Sequence, residues 1–188
     1  MISKGRCENK RVNSVRNWYV ITGGPSSGKS TVIRLLKDLG YSTTFEAARH
    51  FIDLQSMNGR SIEEIRANQR QFQHKVLNLQ IDLERRLDPQ ELTFLDRALP
   101  DELAYYKYFN LPPDEKLVEY LQFATYKKIF IMDLLPLDRD YARTEDTEAQ
   151  KALHQLIIEA YQQRKEPIVM VPVLPPKERV QFILEHLE

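Results

Sequence analysis

Residues 23–31 read Gly-Gly-Pro-Ser-Ser-Gly-Lys-Ser-Thr. Gly23, four free positions, then Gly28, Lys29 and Ser30 form the phosphate-binding P-loop pattern. No other stretch constrains the fold as tightly. The glycines let the backbone curl until successive N–H groups converge on one point. Such a loop works only between a buried strand and the first turn of a helix, whose positive dipole end faces the same point. Both flanks are present. Trp18-Tyr19-Val20-Ile21 is an apolar run, and Val32, Ile33, Leu35, Leu36 and Leu39 recur with helical spacing. In this loop Gly23, Gly24, Pro25, Ser26, Ser27, Gly28 and Thr31 are candidate phosphate contacts. Lys29 reaches the β- and γ-phosphates, and the Ser30 hydroxyl is a candidate Mg²⁺ ligand.

The rest of the chain alternates in the same way. Strands are expected at 18–22, 41–45, 92–96, 129–132 and 168–171, four of them short apolar runs and 41–45 a short β pattern. Helices are expected from Lys29 to Leu39, Ala47 to Leu54, Pro100 to Tyr108, Asp114 to Phe123, Thr147 to Arg164 and Lys177 to Leu187. Ser61, with Glu64 three residues on, reads as a capping box opening one long helix to Asp88-Pro89. Its stripe of Ile62, Ile65, Phe72, Val76, Leu79, Leu83 and Leu87 is read as the face packed on the sheet. Continuous apolar strands separated by helices predict an α/β fold with a parallel sheet covered on both faces.

The chain has 188 residues, enough for one domain with a sizeable core. That domain is read as 18–188, preceded by a flexible basic segment at 1–17 with Lys4, Arg6, Lys10, Arg11 and Arg16. Lys plus Arg is 27 and Asp plus Glu is 27, so no excess of positive charge points to general nucleic-acid binding. Cys7 is the one cysteine and can make no internal disulfide. No apolar run approaches a transmembrane span, and the polar start does not look like a signal peptide. A cytoplasmic location is the expectation.

Three constellations carry chemistry. Asp96 ends the third strand, where a carboxylate can approach the metal beside the P-loop; capping the next turn is the structural alternative. Arg97 follows, to hold an acceptor or to pair with a nearby acid. Glu46 ends the second strand in Phe45-Glu46-Ala47-Ala48-Arg49. Ligands of open parallel sheets bind beyond the carboxyl ends of the strands, so Glu46 shares a rim with Asp96 and the P-loop. It can orient or deprotonate an acceptor hydroxyl, or act only as an acid at a helix N-terminus. Residues 134–145 read as a charged lid, with Arg139 and Arg143 as candidates to cover charge developing on a transferred phosphoryl group; a solvated loop is the alternative. Tyr105-Tyr106-Lys107-Tyr108-Phe109 is an aromatic cluster for the core or for stacking on a flat acceptor. His50, His74, His154 and His186 lack ligand spacing and are read as structural or surface residues.

These residues reach a family. Ile21 to Thr31, Phe45 to Arg49, Phe94-Leu95-Asp96-Arg97-Ala98-Leu99-Pro100-Asp101 with Ala104-Tyr105-Tyr106, Tyr141 to Glu145, and Val171 to Pro175 with Glu178-Arg179-Val180 follow in order along nearly the whole chain. The chain resembles the P-loop AAA-like ATPase/kinase family related to the kinase domain of nicotinamide riboside kinases, which also includes an eukaryotic GTP-binding trafficking protein. The resemblance implies a nucleoside/nucleotide kinase-like fold of three layers, with five parallel strands in the order 2-3-1-4-5. It implies that Glu46, Asp96 and Arg97 line the acceptor side, that Arg143 belongs to the lid, and that the loop carrying Val173 borders the nucleotide base. A separate helical lid domain of the AAA+ type is not evident.

Together these readings give an Mg²⁺-dependent, ATP-binding phosphotransferase acting on a small, nucleoside-like acceptor. An ATP- or GTP-binding regulatory NTPase that signals through a protein partner or anionic lipid is the alternative. The guanine-specific Asn-Lys-x-Asp pattern is absent, which favours ATP.

Overall fold

A computed structural model describes residues 16–136 and 146–188. The basic segment before residue 16 and most of the expected lid, including Arg139 and Arg143, lie outside the described residues. The elements in chain order are β1 (Trp18–Thr22), α1 (Lys29–Asp38), β2 (Ser42–Thr43), α2 (Ala47–Met57), α3 (Ile62–Arg66), α4 (Gln69–Arg86), β3 (Thr93–Asp96), α5 (Leu99–Tyr108), α6 (Glu115–Leu121), β4 (Lys128–Met132), α7 (Thr147–Gln162), β5 (Ile168–Val171) and α8 (Pro176–Glu185). The five strands form one parallel sheet in the order β2-β3-β1-β4-β5. Fold class and strand order are those expected.

The side-chain period of two divides β1 between two cores. Trp18 and Val20 face one side, with Leu95, Ile129 and Ile131 of the neighbouring strands, under Leu77 and Ile81 of α4 and Ile157 and Tyr161 of α7. Tyr19 and Ile21 face the other, with Phe94, Phe130 and Met132, under Val32 and Leu36 of α1 and Val180 and Ile183 of α8. The polar tips of the two large aromatics of β1 are satisfied. Trp18 Nε1 donates to Asp88 O at 3.0 Å and Tyr19 Oη to Leu187 O at 3.0 Å. Among the described residues no helix is long and apolar enough to cross a membrane.

Three expectations are corrected. The long helix from Ser61 is two helices. Ser61 does cap α3 through the expected box with Glu64, but Asn68 starts again. Its backbone is extended and its side chain accepts from the Gln71 N–H at 2.9 Å. Asparagine competes poorly inside a helix and well at its start, so the capped break replaces a continuous turn. The apolar stripe is also assigned differently. Ile65, Phe72 and Val76 bury Ala47 and Ile52 of α2 in a third cluster, while Leu77 and Ile81 meet the sheet. The two apolar faces of α4 thus join α2 to the sheet. The second strand is shorter than 41–45. As an edge strand it pairs with β3 alone, and Phe45 is exposed.

Asn68→Ala removes a cap worth about 1 kcal/mol. For a chain this size, calorimetry should show a melting temperature lower by about 2–4 °C. An unchanged melt would mean that the break is held by α2 packing instead of by the cap.

Candidate functional site

The P-loop turns at Gly23 and Gly28, with φ of 137° and 83°. Glycine is needed twice over at Gly23, because a Cβ there would sit 2.6 Å from Met132 O of β4. The loop is held from three sides. Arg179 of α8 is buried and its Nη1 donates to Ser27 O at 2.6 Å, while its Nε reaches Pro172 O at 2.9 Å. Gln150 of α7 donates through Nε2 to Pro25 O and Leu135 O, each at 3.0 Å. His154, one turn on, accepts the Gly24 N–H at Nδ1, 3.1 Å away. Burial lowers the His154 pKa, which keeps the ring in the neutral form that can accept.

Lys29, at the start of α1, folds back inside the loop. Its Nζ donates to Gly23 O at 3.0 Å, Gly24 O at 2.8 Å and Ser27 Oγ at 3.1 Å. Burial, helped by the charge of Arg97, lowers its pKa to about 7. An arriving phosphate would reverse that pressure, since an opposite charge favours the ammonium form. Ser30 follows with an exposed side chain.

Beyond the loop lies a network around one buried acid. Asp101 is fully buried on the first turn of α5. Its Oδ1 accepts from Thr22 Oγ1 and from Arg97 Nη1, the latter at 2.9 Å. Its Oδ2 accepts from the Ala98 N–H at 3.0 Å and Tyr161 Oη at 2.6 Å. Arg97 has a left-handed backbone, φ 67°, and is buried. Its guanidinium also donates from Nη1 to Gly23 O at 3.1 Å and from Nε to Glu46 Oε1 at 3.1 Å, and it lies over the Tyr105 ring. Arg97 thus pairs with two nearby acids, Glu46 and Asp101.

Glu46 is the N-cap residue of α2 but makes no capping bond. Its carboxylate turns to Arg97 and lies 3.8 Å from Arg49 Nε. Burial alone would raise its pKa, but Arg97 and Lys29 outweigh burial and hold it at about 2. Asp96 behaves in the opposite way. Burial and then the charge of Glu46 raise its pKa to about 7, and its Oδ1 is buried with no hydrogen-bond partner. An orphaned carboxyl oxygen at the strand end, with the Ser30 hydroxyl on the loop, fits Mg²⁺. That ion takes few protein ligands and completes its shell with water and phosphate oxygens. No cluster of three or more metal-ligating side chains occurs among the described residues.

Lys29, Glu46, Arg49, Arg97 and Tyr105 line one cleft that opens between α2, α4 and α5. The structure therefore brings Lys29 to the same cleft as Glu46 and Arg97, whereas Asp96 and Ser30 do not line it. It divides the aromatic cluster of 105–109 between the two readings. Tyr105 lines the cleft, whereas Tyr106 is in the core, as adjacent positions on a helix must diverge. Val173 is exposed on the loop after β5, which Arg179 ties to the P-loop through Pro172. Reading the sequence missed Asp101, Gln150, His154 and Glu102. The available signal was spacing: Gln150 and His154 are four apart on one helix face, and Glu102, Tyr105 and Phe109 are three and seven apart on another.

The profile of the AAA domain family matches residues 18–179. The chain belongs to that family. No curated protein sequence matches it. In structure, a deoxyadenosine kinase from M. mycoides with bound dATP aligns with TM-score 0.62 at 18% identity, over 90% of this chain and 98% of the other. An NadR protein in complex with NR aligns with TM-score 0.60 at 16% identity, over 93% of this chain and 52% of the other. Shikimate kinase from Aquifex aeolicus aligns with TM-score 0.54 at 17% identity, over 89% and 94%. The family member thus has a P-loop kinase-like fold, in agreement with the strand order. The trafficking-protein branch of the resemblance has no counterpart among these structures.

The buried Glu102 gives a pH test. Burial, then Asp101, raise its pKa to about 8 from the usual 4.5. The folded chain therefore keeps a proton that the unfolded chain has lost. This contribution to stability is full below pH 4.5 and is lost as pH rises through about 8. In Glu102→Gln the fall in stability between pH 5 and 8, followed by urea unfolding, should be shallower than in the wild type. Equal slopes would place the proton elsewhere.

Proposed function

We propose that this family member transfers the γ-phosphoryl group of ATP to a hydroxyl of a small, nucleoside-like acceptor, with Mg²⁺. One observation carries the reading: the P-loop lysine and an acid-arginine-tyrosine wall line the same cleft. A triphosphate held by the loop would point its last phosphate into that cleft. A switch that only binds and hydrolyses nucleotide has no use for such a wall. The kinase-like neighbours bind a nucleotide or small ligand on the same fold, which supports the class of reaction.

The residues divide the work. The backbone N–H groups of Ser26 to Thr31 and the Lys29 ammonium would hold the β- and γ-phosphates, with Lys29 leaving its loop carbonyls to do so. Ser30 and Asp96 would hold Mg²⁺, which neutralises phosphate charge when bound. The acceptor oxygen forms the new P–O bond as the bond from γ-phosphorus to the β,γ-bridging oxygen breaks, and ADP leaves. Glu46 would accept the hydrogen bond of the attacking hydroxyl. With its pKa held at about 2, it is a weak base, so its service is orientation. Phosphoryl transfer tolerates this, because its loose transition state needs placement more than a strong nucleophile. The hydroxyl proton leaves late, to Glu46 or the product phosphate. Arg97 would fix the Glu46 carboxylate, Arg143 would cover the transferred charge, and Val173 would border the base. ATP is preferred as donor because the guanine-specific pattern is absent.

Lys29→Ala should abolish binding of Mg²⁺-ATP in calorimetry while the protein stays folded; equal affinity would remove the P-loop from the account. The reaction itself is tested by incubating the protein with ATP, Mg²⁺ and a nucleoside library. The readouts are ADP release and mass spectrometry for an acceptor heavier by one phosphoryl group. Glu46→Gln should lower that turnover by about 100-fold or more with ATP affinity retained, and Asp96→Asn should lower it at every Mg²⁺ concentration. Release of inorganic phosphate alone, at a rate no acceptor changes, would contradict transfer.

A further inference from the structure

Four of the acids near the cleft have an evident use or place. Asp101 is saturated with donors. Glu46 is paired with Arg97. Asp96 stands beside the loop. Glu84, buried on α4, accepts from Gln80 Nε2 at 2.9 Å, the Leu99 N–H at 3.1 Å and Tyr126 Oη at 3.0 Å. Glu102 differs. It is 5% exposed, it lines the cleft, and its Oε2 is buried without a hydrogen-bond partner. Leaving a buried carboxyl oxygen unsatisfied destabilises the fold. Packing alone does not explain its place.

Its surroundings describe what would satisfy it. On α5, Glu102, Tyr105 and Phe109 form one stripe along the cleft. On α4, which packs against α5, Gln73, Val76 and Gln80 form the opposing stripe. The Gln80 amide is committed to Glu84, whereas Gln73, 3% exposed, brings an amide to the same wall. The result is an aromatic and aliphatic slot, carrying the polar groups of Glu102 and Gln73, in the same cleft as Glu46 and Arg97. Flat rings suit such a slot, because aromatic faces pack on them without a polar penalty. Whether neutral or ionised, a carboxyl oxygen can accept an N–H, and the Gln73 amide can both donate and accept.

We propose that Glu102, with Gln73 on the facing helix, reads a hydrogen-bond donor on the flat ring of the acceptor, in the form of an exocyclic amino group or a carboxamide. This deepens the phosphotransfer reading by naming the ring chemistry of the acceptor. The ring end would be recognised at Glu102 while the hydroxyl end meets Glu46. A site built around a buried polar group rejects a ligand lacking the matching group, because the protein group is then left unpaired.

Matched ligand pairs test this by binding, without turnover. Adenosine is compared with purine riboside, cytidine with the 2-pyrimidinone riboside, and nicotinamide riboside with 3-acetylpyridine riboside. In each pair only the first carries the N–H donor. Calorimetry is run on the full chain in the presence of AMP-PNP and Mg²⁺. In at least one pair the donor-bearing member should bind ten-fold or more tightly than its partner. Glu102→Leu should erase that gap, and Glu102→Gln, which keeps an acceptor oxygen, should retain most of it. Cooperative melting of both variants shows that they are folded. The proposal is overturned if no ring binds, if the wild type shows no gap in any pair, or if the gap survives in Glu102→Leu. The wild-type comparison decides even if a variant fails to fold. A gap without any phosphorylated product would leave this recognition standing and contradict phosphoryl transfer instead.

Discussion

The buried pair of Arg97 and Asp101 is the contact on which the site depends. Taking both charges out of water is costly, and such a pair holds only when each remaining donor and acceptor is met. Here they are. Asp101 collects bonds from β1, the β3–α5 turn and α7, and Arg97 spends its donors on Asp101, Gly23 O and Glu46. One guanidinium therefore ties the first residue of the P-loop to the acid that opens α2. It is held in a left-handed backbone conformation that a non-glycine residue rarely adopts. Removing either partner would strand a buried charge and release the phosphate side and the acceptor side from each other.

The charges around this pair are tuned in opposite directions. Glu46 opens α2 and Asp96 ends β3, yet Glu46 is held at about 2 and Asp96 is raised to about 7. The difference lies in access to the guanidinium: Glu46 touches it, while Asp96 Oδ1 has no partner. Two carboxyl groups on one rim thus present a fixed anion and an acid ready to ionise when a cation arrives. The same logic applies to Lys29, which rests on loop carbonyls and has its pKa lowered by burial. Each of these groups gains from a bound ligand what the free fold does not supply.

Much of this was legible in the residues. Strand, P-loop and helix follow from Gly23, Gly28, Lys29 and their apolar flanks, and the four apolar runs with the β pattern at 41–45 give the sheet. The order of the strands came through the family resemblance, because pairing is non-local and no periodicity encodes it. The break at Asn68 was hidden because the apolar period runs on through it, although the residue itself is a good cap. Tyr105 and Tyr106 looked alike as letters, and only the helix angle sends one to the cleft and the other to the core. Asp101, Gln150, His154 and Glu102 were not legible as site residues. They reach the site from helices whose docking on the sheet is a tertiary outcome.

The central claim is that the P-loop and the wall from Glu46 to Tyr105 form one site for one reaction. A crystal structure with AMP-PNP and Mg²⁺ tests it most directly. The account requires Lys29 Nζ to leave the carbonyls of Gly23 and Gly24 for the γ-phosphate. It also requires that phosphate to face the Glu46 carboxylate across the cleft, with the Arg97–Asp101 pair unchanged. A triphosphate that leaves Lys29 on the loop carbonyls, or points its γ-phosphate away from Glu46, would contradict it.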